Sequence, residues 1–116
     1  MTIKNASRKS GKRVAPSVSY ESWLTERLKD PAEAAAYLEA VIEEGDQAAI
    51  MLAMRQIAQA KKGGIAAVAR KAHRTREATY RMLSKDGNPG LDSFMSLLKA
   101  TDMQLSVKPI PVKKAA

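Results

Sequence analysis

The sequence predicts an all-α domain of five helices, with a disordered basic arm before it and a short strand near its C-terminus. Three observations predict this class. Apolar residues recur at helical spacing over most of residues 20–100. Residues that commonly cap helices precede these segments, and glycine or proline separates them. The chain of 116 residues has the length of one small domain with tails.

The composition excludes several classes of function. The chain has no cysteine and a single histidine, His73, so it lacks the ligands of a thiolate or histidine metal site and the parts of a serine–histidine relay. We therefore expect no enzyme and no cofactor. No apolar run approaches the roughly 20 residues of a membrane span, and no apolar segment follows the basic N-terminus as in a secretory signal. A cytoplasmic protein without a membrane partner is expected.

The net charge of +8 is distributed unevenly along the chain. Residues 1–19 contain five bases and no acid, whereas residues 20–46 contain eight acids and two bases. Residues 55–85 contain nine bases and one acid, Glu77. An acidic segment beside a basic one indicates two surfaces with different partners.

The patterns divide the chain into three regions. Residues 1–19 are too poor in apolar side chains to offset the entropy of ordering. We expect a disordered arm there that either solubilises the protein or binds the DNA backbone. Residues 20–108 form the folded domain. Residues 109–116 form a flexible tail in which Pro109 and Pro111 exclude regular structure.

The first part of the domain carries clear helix signals. A short helical segment places four large apolar side chains on one side: Tyr20, Trp23, Leu24 and Leu28. Asp30 is expected to cap a helix from Pro31 to about Glu44. Gly45 ends that helix, and Asp46 caps the next, which runs over residues 47–61.

The second part of the domain predicts three more helices and a strand. Residues 65–72 form the third helix and residues 76–84 the fourth. A loop over residues 86–90 leads to a fifth helix, which Asp92 or Ser93 is expected to cap. Residues 103–107 alternate apolar and polar side chains like a short strand.

The third and fourth helices have the spacing of a helix-turn-helix, whose second helix lies in the DNA major groove. Small and branched apolar residues are available where the two helices cross: Ala66, Val68, Ala69, Ala72, Ala78, Met82 and Leu83. Thr79 is also expected to face the interior. His73 occupies the turn position where a left-handed residue is expected.

The fourth helix carries the candidate DNA-binding residues. Thr75 is its expected N-cap. Arg76 and Arg81 point away from the core and can each make bidentate contacts to guanine, while Glu77 can accept from cytosine. Tyr80 either packs beside the helix or reaches sugar and phosphate. Other basic residues are expected to contact phosphates: Arg70, Lys71, Arg74 and Lys85.

Two other interpretations of these residues stay open. An arginine-rich helix pair is also typical of a solvated surface. A carboxylate in the first turn, such as that of Glu77, also complements the helix dipole. The basic segment and the helix pair nevertheless coincide, and together they favour DNA binding more than either does alone.

Five short motifs follow one another along the domain: Lys29-Asp30-Pro31, Glu43-Glu44-Gly45-Asp46, Ala69-Arg70-Lys71-Ala72, Thr75-Arg76-Glu77-Ala78-Thr79-Tyr80-Arg81 and Gly87-Asn88-Pro89. In this order they resemble the addiction-module antidote proteins. These are small antitoxins with a lambda-repressor-like helix-turn-helix, usually encoded beside a RelE/ParE-type toxin. The resemblance extends over roughly residues 20–109 and leaves out the basic arm.

The resemblance implies that the protein neutralises a protein toxin, binds operator DNA as an autorepressor and works as a homodimer. It implies operator-reading roles for four residues of the fourth helix: Thr75, Arg76, Glu77 and Arg81. It also implies a DNA-backbone contact for Asn88. Two residues depart from the family pattern, since His73 stands where glycine is usual and Thr79 where a larger apolar residue is common.

The acidic segment is the candidate toxin-binding surface. A toxin that cleaves RNA would be basic, and six glutamates offer complementary charge: Glu21, Glu26, Glu33, Glu39, Glu43 and Glu44. Four apolar side chains are candidate anchors of the contact: Tyr20, Trp23, Leu24 and Leu28. The same four residues alternatively close the core of the domain or of a partner subunit.

The leading hypothesis is an antitoxin of a type II toxin–antitoxin module that binds its toxin and represses its own operon. One alternative is a stand-alone prophage-type transcriptional repressor, and another is a toxin-inhibiting protein that does not read DNA. A homodimer is expected because operators are usually palindromic. Residues 103–107 are a candidate dimer interface, since an isolated strand needs a partner.

Overall fold

The computed structural model describes residues 16–112, and this part of the chain forms six helices and no strand. They are α1 (Pro16–Leu28), α2 (Pro31–Glu44), α3 (Gln47–Ala60), α4 (Gly64–Lys71), α5 (Arg76–Met82) and α6 (Leu91–Ala100). The all-α class is confirmed. None of the helices in the described range is long and apolar enough to cross a membrane.

The prediction of five helices was one too few. The short apolar segment around Trp23 is a full helix, α1, which begins at Pro16 and so takes in the last residues of the predicted arm. The other five helices correspond to the five that were predicted. The expected disorder of residues 1–15 and 113–116 falls outside the described residues.

The two predicted aspartate caps are present. Asp30 Oδ1 accepts a hydrogen bond from the N–H of Ala32 at 3.1 Å, and Asp46 Oδ1 accepts from the N–H of Ala48 at 3.0 Å. These bonds satisfy N–H groups that have no partner within their own helices. Between the two caps, Gly45 adopts φ +80°, which lets the chain leave α2 in a left-handed turn.

The core lies around α3, which packs against α1, α2 and α4. Its side chains Met54, Ile57 and Ala58 are fully buried. The other helices contribute further buried apolar side chains: Leu24, Leu28, Ala34, Leu38, Ile65, Val68, Leu83, Leu97 and Leu98. Since α4 packs in turn against α5 and α6, the position of α5 is set by the core through α4.

Two predictions for the C-terminal third were wrong. The residue that precedes α6 is Gly90, and no side chain caps this helix, so neither Asp92 nor Ser93 has the predicted role. Residues 103–107 form no strand, because the described chain offers no second strand for hydrogen bonding. Met103 packs on the core instead.

Candidate nucleic-acid interface

A tight turn joins α4 to α5. His73 adopts φ +59°, as the sequence predicted for this position. Its N–H donates to the carbonyl of Arg70 at 3.1 Å, and the N–H of Arg74 donates to the carbonyl of Ala69 at 2.9 Å. This pair of bonds is the Schellman arrangement, in which glycine usually takes the left-handed position. Histidine therefore adopts the conformation that the turn requires.

The start of α5 is fixed by two threonines. Thr75 Oγ1 accepts from the N–H of Ala78 at 3.0 Å, which confirms Thr75 as the N-cap. Thr79 is fully buried, and its hydroxyl donates to the carbonyl of Thr75 at 2.9 Å. Its polar atom is therefore satisfied inside the core.

The outer face of α5 presents four side chains to solvent. Arg76, Glu77, Tyr80 and Arg81 are all exposed and line one shallow surface depression. The guanidinium carbon of Arg76 lies 5.7 Å from the centroid of the Tyr80 ring, within the range of a cation–π contact. The structure thus brings together four of the side chains for which the sequence predicts base or backbone contacts.

The residues predicted to flank this face are partly engaged within the fold. Arg74 Nη2 lies 3.2 Å from the Asp92 carboxylate in the first turn of α6. Asn88 Oδ1 accepts from Gln47 Nε2 at 3.3 Å, which ties the loop after α5 to the start of α3. Lys85, by contrast, is exposed at the surface.

A single carboxylate links the ends of α3 and α4. Asp102, just beyond α6, adopts φ +67°. Its carboxylate oxygens lie 3.5 Å from Nζ of Lys61 and 3.9 Å from Nζ of Lys71. Two of the bases counted in the basic segment therefore have an acidic partner. One of them, Lys71, was a predicted phosphate contact.

Sequence reasoning did not identify the residues that hold the far end of α5. Arg55 Nη1 donates to the carbonyl of Leu83 at 2.7 Å, where the helix leaves carbonyls without helical partners. Gly87 is buried, and its carbonyl accepts from Gln47 Nε2 at 3.0 Å. A Cβ at Gly87 would lie 2.1 Å from the carbonyl oxygen of Met82. No local pattern marks these contacts, because they join segments far apart in sequence.

The four candidate toxin anchors on α1 separate into two pairs. Leu24 and Leu28 are 7% and 1% exposed and belong to the core, which was the alternative that the sequence left open. Tyr20 and Trp23 are exposed, with ring centroids 5.7 Å apart. The guanidinium of Arg27 lies 5.0 Å from the Trp23 ring. An exposed aromatic pair therefore stands on the acidic part of the chain.

Two further findings concern titratable groups. Partial burial, with a smaller effect of Tyr20, raises the pKa of Tyr37 above its ordinary value. The Tyr37 hydroxyl donates to Gln56 Oε1 at 2.7 Å. Within residues 16–112, no three His, Cys, Asp or Glu side chains are grouped so that they could hold a metal ion.

Comparison with known proteins places these features in a family. A family model described as probable addiction module antidote protein matches residues 20–109. An uncharacterised protein of Haemophilus influenzae is 32% identical over 85 residues, which cover 73% of this chain and 86% of that protein. No solved structure matches the chain. The matched region contains all of the helices from α2 to α6 and most of α1.

Proposed function

This chain belongs to the family of probable addiction module antidote proteins, and on that basis we propose that it is an antitoxin with two binding surfaces. One surface binds a RelE/ParE-type toxin in the cytoplasm. The other binds operator DNA and represses the operon that encodes both proteins. The observation that carries the DNA-binding half is the group of four exposed side chains on α5, a helix that the turn from α4 positions at its start and Arg55 holds at its end.

In this proposal α4 and α5 act as a helix-turn-helix, with α5 in the major groove. Sequence readout requires side chains in defined positions. The Thr75 cap fixes where α5 begins, and the bond from Arg55 to the carbonyl of Leu83 ties its far end to α3. Arg76 and Arg81 contact guanine, and Glu77 accepts from the amino group of cytosine. Tyr80 contacts the sugar–phosphate backbone from its place beside Arg76.

Backbone contacts complete the DNA surface. Lys85 is exposed next to α5 and is available for a phosphate. Arg74 and Asn88 are already held by Asp92 and Gln47, so they contact phosphates only with their remaining hydrogen-bonding capacity. A homodimer supplies two copies of this surface to the two halves of a palindromic operator.

The toxin surface lies on the exposed sides of α1 and α2. Five exposed carboxylates give it negative charge: Glu21, Glu26, Glu39, Glu43 and Glu44. Tyr20 and Trp23 supply exposed aromatic surface on the same helix as Glu21 and Glu26. A basic partner that binds RNA matches this combination, since charge guides the encounter and aromatic side chains anchor the contact.

The DNA half is tested by titrating the protein against the DNA upstream of its own gene and against a scrambled duplex. Arg76→Ala and Arg81→Ala should each reduce the preference for the operator by roughly 1–3 kcal/mol. Arg27→Ala is the matched control, because it removes the same charge from an exposed position on α1. Equal binding of operator and scrambled DNA by the wild type would show that the protein binds DNA only through its positive charge and does not read the sequence. The alternative of a toxin inhibitor that does not read DNA would then be favoured.

The toxin half is tested by co-purification with the protein encoded by the neighbouring gene. Trp23→Ala should weaken the complex, whereas Leu91→Ala should not, because Leu91 is an exposed apolar residue on α6. Circular dichroism of both variants checks that the fold survives. If a folded Trp23→Ala variant retains the toxin, the toxin binds a surface other than the one that contains Trp23. A neighbouring gene that encodes no toxin would favour the stand-alone repressor.

A further inference from the structure

An apolar groove of about 390 Å³ lies between α2, α6 and the residues that follow α6. Its lining is mostly apolar and includes Ala35, Leu38, Ile42, Phe94 and Leu98. Glu39 and Asp102 supply carboxylates to the same lining. We call it the α2–α6 groove. It is separate from the outer face of α5 and from the aromatic pair on α1, but it shares Glu39 with the proposed toxin surface.

Beyond this groove the chain continues as a segment whose apolar side chains are not covered by the rest of residues 16–112. Residues 103–106 line the groove, and residues 107–112, the apolar tail, continue from there. Val107, Ile110 and Val112 are 92%, 88% and 90% exposed. Exposed apolar side chains that follow one another in this way are typical of a segment that binds a partner.

The prolines of the apolar tail determine how it can bind. Pro109 and Pro111 lack an N–H and favour polyproline II geometry for themselves and the residues before them. A polyproline II helix has three residues per turn, so Val107 and Ile110 share one edge. Val112 lies on another edge. The tail is thus suited to inserting side chains into an apolar groove rather than to joining a sheet.

We propose that the apolar tail of one copy inserts Val107 and Ile110 into the α2–α6 groove of a second copy, and that the exchange is reciprocal. This inference rests on the homodimer of the proposed function and gives it an interface. It replaces the predicted strand over residues 103–107 with a contact of side chains. A twofold exchange of this kind buries the same two surfaces on both copies.

Charge complementarity supports a second copy as the occupant. The chain from residue 107 onward carries three lysines and no acid, whereas Glu39 lies at the groove and Glu43 lies one turn further along α2. The other carboxylate of the lining, Asp102, is already engaged by Lys61 and Lys71. Within one copy, Nζ of Lys108 lies 3.8 Å from the Glu39 carboxylate and 3.9 Å from that of Glu43, so an exchanged tail can form the same ion pairs with the other copy. The tail's apolar side chains stay exposed beside their own groove, which leaves that groove open to the tail of another copy.

Sedimentation equilibrium of the full chain tests the proposal with two variants. Ala35→Arg puts a cation into the groove from an exposed position of α2, and Ile110→Asp puts an anion on the inserting edge of the tail. Each should weaken dimerisation by about tenfold or more, because a charge in an apolar contact costs at least about 1.4 kcal/mol. Two controls carry the same charges outside the contact: Ala40→Arg on α2 and Val112→Asp on the other edge of the tail. Both should dimerise like the wild type.

Mixing the two disruptive variants provides the sharpest result. A heterodimer of Ala35→Arg and Ile110→Asp contains one intact groove facing one intact tail, whereas neither homodimer contains such a pair. The mixture should therefore dimerise more tightly than either variant alone. A wild type that is monomeric, or a dimer that is insensitive to both substitutions, would overturn the proposal. So would variants that stay dimeric but no longer bind the toxin, since the groove would then belong to the toxin.

Operator titrations on the same samples separate the two proposals. A wild-type dimer that depends on Ala35 and Ile110 but shows no preference for the operator contradicts the proposed DNA binding and leaves the exchange intact. An operator-binding dimer that ignores both substitutions contradicts the exchange alone.

Discussion

Replacing Gly87 by alanine tests whether the loop after α5 is held by close backbone packing. The added Cβ would lie 2.1 Å from the carbonyl oxygen of Met82 and 2.7 Å from its carbonyl carbon. Flexible side chains can rotate away from such a contact, but these atoms belong to the backbone at the end of α5. Either the helix end or the loop must therefore move.

The magnitude follows from two contributions. Forced overpacking of a buried site costs typically about 1–3 kcal/mol. Movement of the loop also disturbs the hydrogen bond from Gln47 to the Gly87 carbonyl, which adds about 1 kcal/mol. We expect the free energy of unfolding to fall by about 2–4 kcal/mol. Since each kcal/mol shifts Tm by about 4–8 °C in a domain of this size, Tm should fall by at least about 8 °C.

Thermal unfolding followed by circular dichroism measures this loss, and Gly90→Ala is the matched control. A Cβ at Gly90 meets nothing within 4 Å, and its φ of −66° suits alanine. We expect the control to change stability by about 1 kcal/mol or less, because alanine is a poorer N-cap than glycine but lowers the entropy of the unfolded chain. Equal melting temperatures for the two variants would refute the packing argument.

Three other substitutions test the contacts around α5 and α2. Thr75→Ala should lower the free energy of unfolding by about 0.5–2 kcal/mol in a urea titration, whereas Thr75→Ser should preserve it; equal loss in both would argue against the cap. Arg55→Met keeps the aliphatic stem but loses the bond to the carbonyl of Leu83, so urea unfolding should show a loss of about 1–2 kcal/mol, and an unchanged midpoint would show that this bond does not stabilise the helix end. The pKa of Tyr37 is raised in the folded state. The neutral hydroxyl therefore contributes fully to the free energy of unfolding below the pKa of the unfolded chain, about 10, and this contribution is lost as the pH rises through the pKa of the folded state. Tyr37→Phe should therefore make stability fall less between about pH 9 and pH 11, and an unchanged slope would assign the alkaline loss to other groups.

Most helix ends could be predicted from the sequence because local chemistry sets them. Asp30, Asp46 and Thr75 each accept a hydrogen bond from an N–H two or three residues ahead, and that bond needs no distant partner. His73 is similar, since the end of α4 itself requires a left-handed residue there. Such interactions are complete within a few residues, so the spacing of residue types is enough to reveal them.

The features that the sequence did not reveal depend on contacts between segments that are far apart along the chain. Asp92 has the chemistry of a cap, yet Gly90 precedes the helix and Asp92 lies beside Arg74. Leu24 has the same apolar character as Trp23, but only contact with α2 and α3 decides that it is buried. Arg55 looked like one more base of a basic segment until the fold placed it against α5. Tertiary contacts of this kind leave no periodic mark in the sequence.

The contacts around the basic segment change how the proposed DNA binding should respond to salt. Four of its nine bases are engaged inside the described chain: Arg55, Lys61, Lys71 and Arg74. Five others have no acidic partner among residues 16–112: Lys62, Arg70, Arg76, Arg81 and Lys85. Arg76 and Arg81 are assigned to guanine in the proposed complex, which leaves three of these five bases for phosphates: Lys62, Arg70 and Lys85. The slope of log K against log salt should therefore be roughly −2.7 per copy rather than about −8. The slope of log K against log salt therefore reports the number of positive charges that the fold leaves available to phosphates, which is smaller than the number in the sequence.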